Sequence, residues 1–169
     1  MTKTRIFLAI LVFSLSIPAR ATTVERLNLD GMVKKSNQIV VGKVRSSRTY
    51  WSSNGKVILT NYTIDVQETI KGTAARTVEV TTIGGTIGDL TLHVSGMPVF
   101  DKDENAVVFV ERTGVYLTVV GLGQGKFTVV NGEVSNNISG LEFPDGGRSR
   151  PTRMSLATFK RQIKLSLNR

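Results

Sequence analysis

The sequence predicts a mainly β fold, a small antiparallel barrel or sandwich with a short N-terminal helix and a C-terminal amphipathic helix. Three observations predict it. Short runs of alternating polar and apolar residues recur between glycine-containing turns, the pattern of half-buried antiparallel strands. A capped segment of helical period stands near each end of the expected domain. The chain has 169 residues and no cysteine, so packing rather than a disulfide framework holds it, and thiolate metal sites and thiol nucleophiles are excluded. A single histidine also excludes multi-histidine metal centres.

From the N-terminus, Lys3 and Arg5 precede an apolar stretch over 6–17, Pro18 breaks it, and Ala19-Arg20-Ala21 supplies an AxA cleavage site. Together these describe a secretory leader. The stretch is too short for a hydrocarbon core that takes about 20 helical residues, and no later segment is long and apolar enough to span. The expected organisation is a leader over 1–21, a β domain over 22–144 and a basic segment with a helix over 145–169. The expected location is the periplasm or the cell exterior.

Losing Lys3, Arg5 and Arg20 with the leader would leave 19 basic residues against 13 acidic ones. Residues 22–144 carry 12 of each sign, whereas 145–169 carry seven basic residues and one acid. The excess charge is confined to the tail, which favours an anionic surface or partner there and a neutral body elsewhere.

The first expected helix starts at an Asn28 cap, with Leu29, Met32 and Val33 on one side, and ends at Ser36-Asn37. A strand follows over 38–50, then the turn cluster Ser52-Ser53-Asn54-Gly55, a hairpin signal. The returning strand over 57–70 places Tyr62, Ile64, Val66 and Ile70 on one face and Thr63, Asp65, Gln67 and Thr69 on the other. Further strands are expected over 77–83, over 90–95 where Leu90, Leu92 and Val94 alternate with Thr91, His93 and Ser95, and over 115–122 and 126–130. The run 106–110 is apolar on both faces, as a strand covered on both sides requires. After a turn at 144–147, Ser155 caps a final helix whose Leu156, Phe159, Ile163 and Leu167 share a face, with Lys160, Arg161 and Lys164 away from it. The plainer reading is a helix docked on the sheet, and the sharper one a basic amphipathic segment meeting an anionic lipid or polymer. The two coexist if the stripe is buried and the charges are exposed.

The order of these segments carries a resemblance. Ser36-Asn37-Gln38-Ile39-Val40-Val41-Gly42-Lys43-Val44, the strand from Tyr62 that ends in Lys71-Gly72, the short Val78-Glu79-Val80 and the late Val107-Val108-Phe109-Val110 are similar to the netrin and metalloproteinase-inhibitor type of OB-fold. The whole chain resembles uncharacterised exported bacterial proteins built on that pattern. The resemblance implies an OB-like antiparallel barrel and supplies no catalytic residue. In the inhibitors an N-terminal cysteine places its amine and carbonyl on the catalytic zinc, whereas this chain has no cysteine. The inhibitory wedge therefore does not carry over, and the fold by itself assigns no function.

Candidate chemistry is sparse. His93 with Ser95 could pair a base with a nucleophile, but no acid is placed to orient the ring, and a solvent-facing histidine is the preferred reading. Asp101, Asp103 and Asn105 match the start of a calcium loop, yet Ala106 stands where the loop needs glycine and Arg112 where it needs glutamate. An acidic turn is preferred. Gly121-Leu122-Gly123-Gln124-Gly125-Lys126 lacks the first glycine and the hydroxyl of a phosphate loop and reads as a bulge or tight corner. Arg45, Arg48, Tyr50 and Trp51 on the first hairpin interleave base with aromatics, as a surface that stacks bases or grips sugars does; the plainer alternative folds Tyr50 or Trp51 over the rim as core. Export argues against nucleic acid as a partner in vivo. No cofactor or metal is implied. The expected function is a non-enzymatic binding module for a protein or anionic polymer, with Arg45, Arg48, Tyr50, Trp51, Lys160, Arg161 and Lys164 as its contact residues. A hydrolase of unrecognised type and a protease-inhibitor-like module without the cysteine mechanism are the alternatives.

Overall fold

A computed structural model describes residues 22–144, 146 and 151–169. The expected leader and its cleavage site lie outside them, as do Asp145 and Gly147 of the expected turn. The described chain is mainly β with two helices, and none of its helices is long and apolar enough to cross a membrane.

Helix α1 (Leu29–Lys35) begins where the sequence places it, with the Asn28 side chain accepting the Gly31 N–H at 2.8 Å. At its other end the Lys71 ammonium donates to the carbonyls of Val33 and Ser36 at 2.7 and 2.6 Å, which satisfies acceptors that a helix terminus leaves open. Met32 and Val33 are buried.

Strand β1 (Thr22–Thr23) pairs in parallel with β11 (Leu141–Glu142). The main sheet is antiparallel and runs β12 (Arg153–Ser155), β10 (Glu133–Asn136), β9 (Lys126–Val130), β7 (Asn105–Thr113), β2 (Gln38–Trp51), β3 (Ile58–Lys71), β4 (Thr77–Ile83), with β8 (Tyr116–Val119) also on β7. Strands β5 (Gly85–Ile87) and β6 (Leu90–Leu92) form a separate hairpin. The expected strands at 77–83 and 126–130 have those bounds. Strand β6 stops at Leu92, short of the expected 95. The short strands β1, β5, β10, β11 and β12 are not among those expected, and β10 and β12 extend the main sheet. Strand β10 returns from β9 through Asn131-Gly132, both at positive φ (50° and 78°), a two-residue hairpin turn that pairs Val130 with Glu133.

The sheet does not close into the barrel expected from the sequence. Among the described residues no ladder joins β4 to β12, the two ends of the path. The reason lies in β7, which is shared between two partners on one edge. Ala106, Val107 and Val108 pair with β9, and only Val110 to Thr113 pair with β8. The sheet therefore continues outward through β9, β10 and β12, while β8 lies against β4 without pairing to it. Three register shifts along β2 and β3 bend this region. Gly42 sits at one of them, and a Cβ there would stand 2.4 Å from the Asp65 carbonyl oxygen.

Both faces of the centre are buried. Residues 106–110 of β7 are fully enclosed, as the doubly apolar run requires. Val107 and Phe109 point with Ile39, Val41 and Phe127 towards α1 and α2 (Leu156–Leu167). Ala106, Val108 and Val110 point the other way, to Val40, Val44, Tyr62, Ile64, Val78 and Val80 inside the bend.

Candidate functional site

The best-defined candidate is the outer face of α2. Ser155 caps the helix by accepting the Thr158 N–H at 3.2 Å. Its inner face is fixed by Phe159 and Ile163, both buried, with the Phe159 ring centroid 4.4 Å from Phe127 and 6.0 Å from Phe109. The helix is thus docked, and because β12 pairs with β10 on the way into it, the basic segment shares the core of the sheet.

Docking aims the charges outward, with one change from the sequence reading. Lys160 forms an ion pair with Glu68 of β3, and Lys164 approaches the same carboxylate at 3.4 Å. The two lysines are therefore held over the sheet instead of lying wholly away from it. The Lys160 hydrogen bond, with the added attraction of Lys164, holds the Glu68 carboxyl below its ordinary value. Arg161 is exposed and has no ion-pair partner among the described residues. Beside these cations lies an open groove of about 600 Å³ between α2 and Gly132 of the β9–β10 turn. Its apolar part comes from Leu156, Ala157 and Leu165, and Leu165 is 58% exposed.

The first-hairpin residues do not form one surface. Arg45 binds Asp65, its Nε donating at 2.8 Å. Arg48 lies over the Tyr50 ring at 5.4 Å, and that ring is half-buried. Tyr50 pairs across with Leu59 and Trp51 with Ile58, so the neighbouring rings leave opposite faces of the strand. Trp51 is 43% exposed, and neither ring enters a core. Among the described residues no hydrogen bond or ion pair links this group to α2.

The histidine and serine line one cleft of about 370 Å³, which Lys126, Asn137 and Ser139 also line. The Ser95 hydroxyl donates to the Gly140 carbonyl at 2.8 Å. Lys126 is occupied by Glu104 at 2.6 Å and by the Val99 carbonyl at 2.8 Å. His93 is exposed, as expected, and among the described residues no carboxylate lines the cleft. Asp103 binds Lys43 at 2.8 Å, and that hydrogen bond holds its carboxyl below the ordinary 3.8. Among the described residues no group of three histidine, aspartate or glutamate side chains is placed to hold a metal ion.

Two structural residues escaped the sequence. Glu104 is nearly buried, accepting from Lys126, from the Thr128 hydroxyl and from the Asp101 N–H. Gln124, 4% exposed in the glycine corner at 121–126, receives the Leu27 N–H at 2.9 Å and donates to the Glu25 and Gly121 carbonyls. The glycines there make a tight corner: a Cβ on Gly125 would stand 2.4 Å from the Val120 carbonyl oxygen. No local pattern marks either residue, because most of their partners, Lys126 and Thr128 for Glu104 and Glu25 and Leu27 for Gln124, are distant in sequence. No protein-family model, curated protein or solved structure matches the chain.

Proposed function

We propose that the protein is an exported, non-enzymatic binding module whose α2 face meets an anionic partner or surface, carried on an OB-like body. The observation that carries this reading is the fixed helix: Phe159 and Ile163 are buried, so Lys160, Arg161 and Lys164 stand on a rigid surface where one carboxylate serves two lysines. Fixed cations bind anions with less ordering cost than a mobile tail. The bend of β2, β3 and β4 with β7 and β8 supports the OB-like description of the body. The hydrolytic alternative rests on the His93–Ser95 cleft, and the commitment of Ser95 to Gly140 counts against it.

The test is retention of the chain on anionic envelope material through a salt series, beside an Arg161→Glu, Lys164→Glu variant. Reversal is preferred to deletion because α2 supplies core residues. Retention falls at low salt in the variant and in the unaltered chain as salt rises. Equal retention by a folded variant overturns the role of α2. For the alternative, His93→Ala leaves any hydrolysis found in an activity screen unchanged, and loss of turnover would restore the histidine mechanism.

A further inference from the structure

The groove beside α2 narrows the ligand class. We infer that it seats a short acidic peptide segment of a partner protein, with an apolar side chain against Leu156, Ala157 and Leu165 and carboxylates on Arg161 and Lys164; this rests on the binding reading above. Three features select that occupant. The charge is complementary to an acid, since Arg161 is unpaired among the described residues and Lys164 is only loosely engaged, 3.4 Å from Glu68. The apolar floor, with Leu165 58% exposed, offers nothing to a carboxylated or phosphorylated polymer but rewards a side chain that leaves water. The site is also a shallow, open groove of about 600 Å³ running along one face of α2 beside Gly132, a shape that suits an extended segment lying along the helix better than an enclosed small molecule.

Apolar anchors flanked by charge are how amphipathic peptides are read in grooves. Glu68 then does two jobs. It holds Lys160 firmly and competes only weakly for Lys164, which is therefore the lysine more easily turned towards a ligand carboxylate.

The experiment uses the full chain and three fluorescent peptides of equal length: one of glutamates interrupted by leucines, one of glutamates interrupted by serines with the same charge, and one with lysines in place of the glutamates. Binding is read by anisotropy against the unaltered chain, Arg161→Glu and Leu165→Ser; both substituted positions are exposed, and circular dichroism checks the fold. The expected result is that the Glu/Leu peptide binds tightest, and that each substitution weakens it about tenfold. The Glu/Ser peptide loses less to Leu165→Ser than to Arg161→Glu. Equal binding of the two acidic peptides, untouched by Leu165→Ser, overturns the peptide groove while leaving the anionic reading standing. Failure of both acidic peptides, together with failure of the envelope retention test, overturns that reading as well. Preference for the lysine peptide overturns both at once.

Discussion

One sheet separates two cores that are closed in different ways. On the helix side, Phe109, Phe127 and Phe159 meet with centroids 4.4 to 6.0 Å apart under α1 and α2. Inside the bend the filling is mostly valine, and its aromatic pair is Tyr62 with Phe100 at 4.9 Å. There the lid is a loop, pinned by the largely enclosed Glu104–Lys126 pair, whose ammonium also lies 5.0 Å over the Phe100 ring. The apolar face of a helix closes one core and an ion pair closes the other. The first depends on side-chain volume, and the second on keeping an ion paired away from water.

Truncating each lid separates the two designs. Phe159→Ala removes the ring that joins α2 to both other phenylalanines, and a loss of about 3–5 kcal/mol is expected, read as a lower urea midpoint with loss of amide protection along α2. If α2 stays protected, the helix is not held by this ring. Glu104→Gln leaves the largely enclosed Lys126 without its counter-charge. The expected cost is about 3 kcal/mol, and it should loosen residues 96–104 while α2 keeps its protection. Lys126→Met combined with Glu104→Gln should recover much of that loss. If the double variant is as unstable as the single one, the pair does not close this core.

The helix side was legible in the sequence because its signals are local. Asn28 and Ser155 cap, Met32, Val33, Phe159 and Ile163 repeat at helical spacing, and all behave as those patterns dictate. The doubly apolar 106–110 announced the shared central strand for the same reason. What escaped is non-local. Glu104 reads as one more acid in a polar turn until β7 and β9 are paired, and Glu68 meets Lys160 across 92 positions. The Asn131-Gly132 turn is an exception, since it carries the same dipeptide that marked the first hairpin and could have disclosed β10. Closure of the barrel failed as an expectation because strand patterns fix faces and not edge partners, and β7 divides its edge between β8 and β9. The candidate site was half visible: its cations lie in the tail composition, but the groove needs Gly132 from a strand turn that the sequence reading lacked.

A smaller effect probes the bend itself. Gly42 lies where β2 shifts register, with the Asp65 carbonyl oxygen 2.4 Å and the Ile64 Cγ2 2.7 Å from where a Cβ would be. Gly42→Ala should cost about 1–3 kcal/mol through backbone displacement, measured by thermal melting. A neutral result would mean that the strands separate there without penalty, and the valine core would then be less tightly closed than the helix side.

The smallest effect belongs to Glu68, where stability and binding should move in opposite directions. Its folded-state carboxyl titrates below the ordinary 4.5, so its contribution is fully present above pH 4.5 and fades as pH falls through the lowered value. Because the pair with Lys160 is partly exposed, the contribution is about 0.2–1 kcal/mol and shrinks with salt. Asp103 with Lys43 fades in the same acid range, and Asp103→Asn provides the background against which Glu68→Gln is compared. Glu68→Gln should flatten the acid dependence of α2 protection and lower stability slightly at neutral pH. It should also strengthen capture of an acidic ligand, because Lys160 and Lys164 lose the carboxylate that competes for them. A structural ion pair alone would give the first change without the second. Stability and affinity falling together would show that Glu68 holds the two lysines in their binding geometry, and the groove would then depend on the sheet beneath it as much as on the helix.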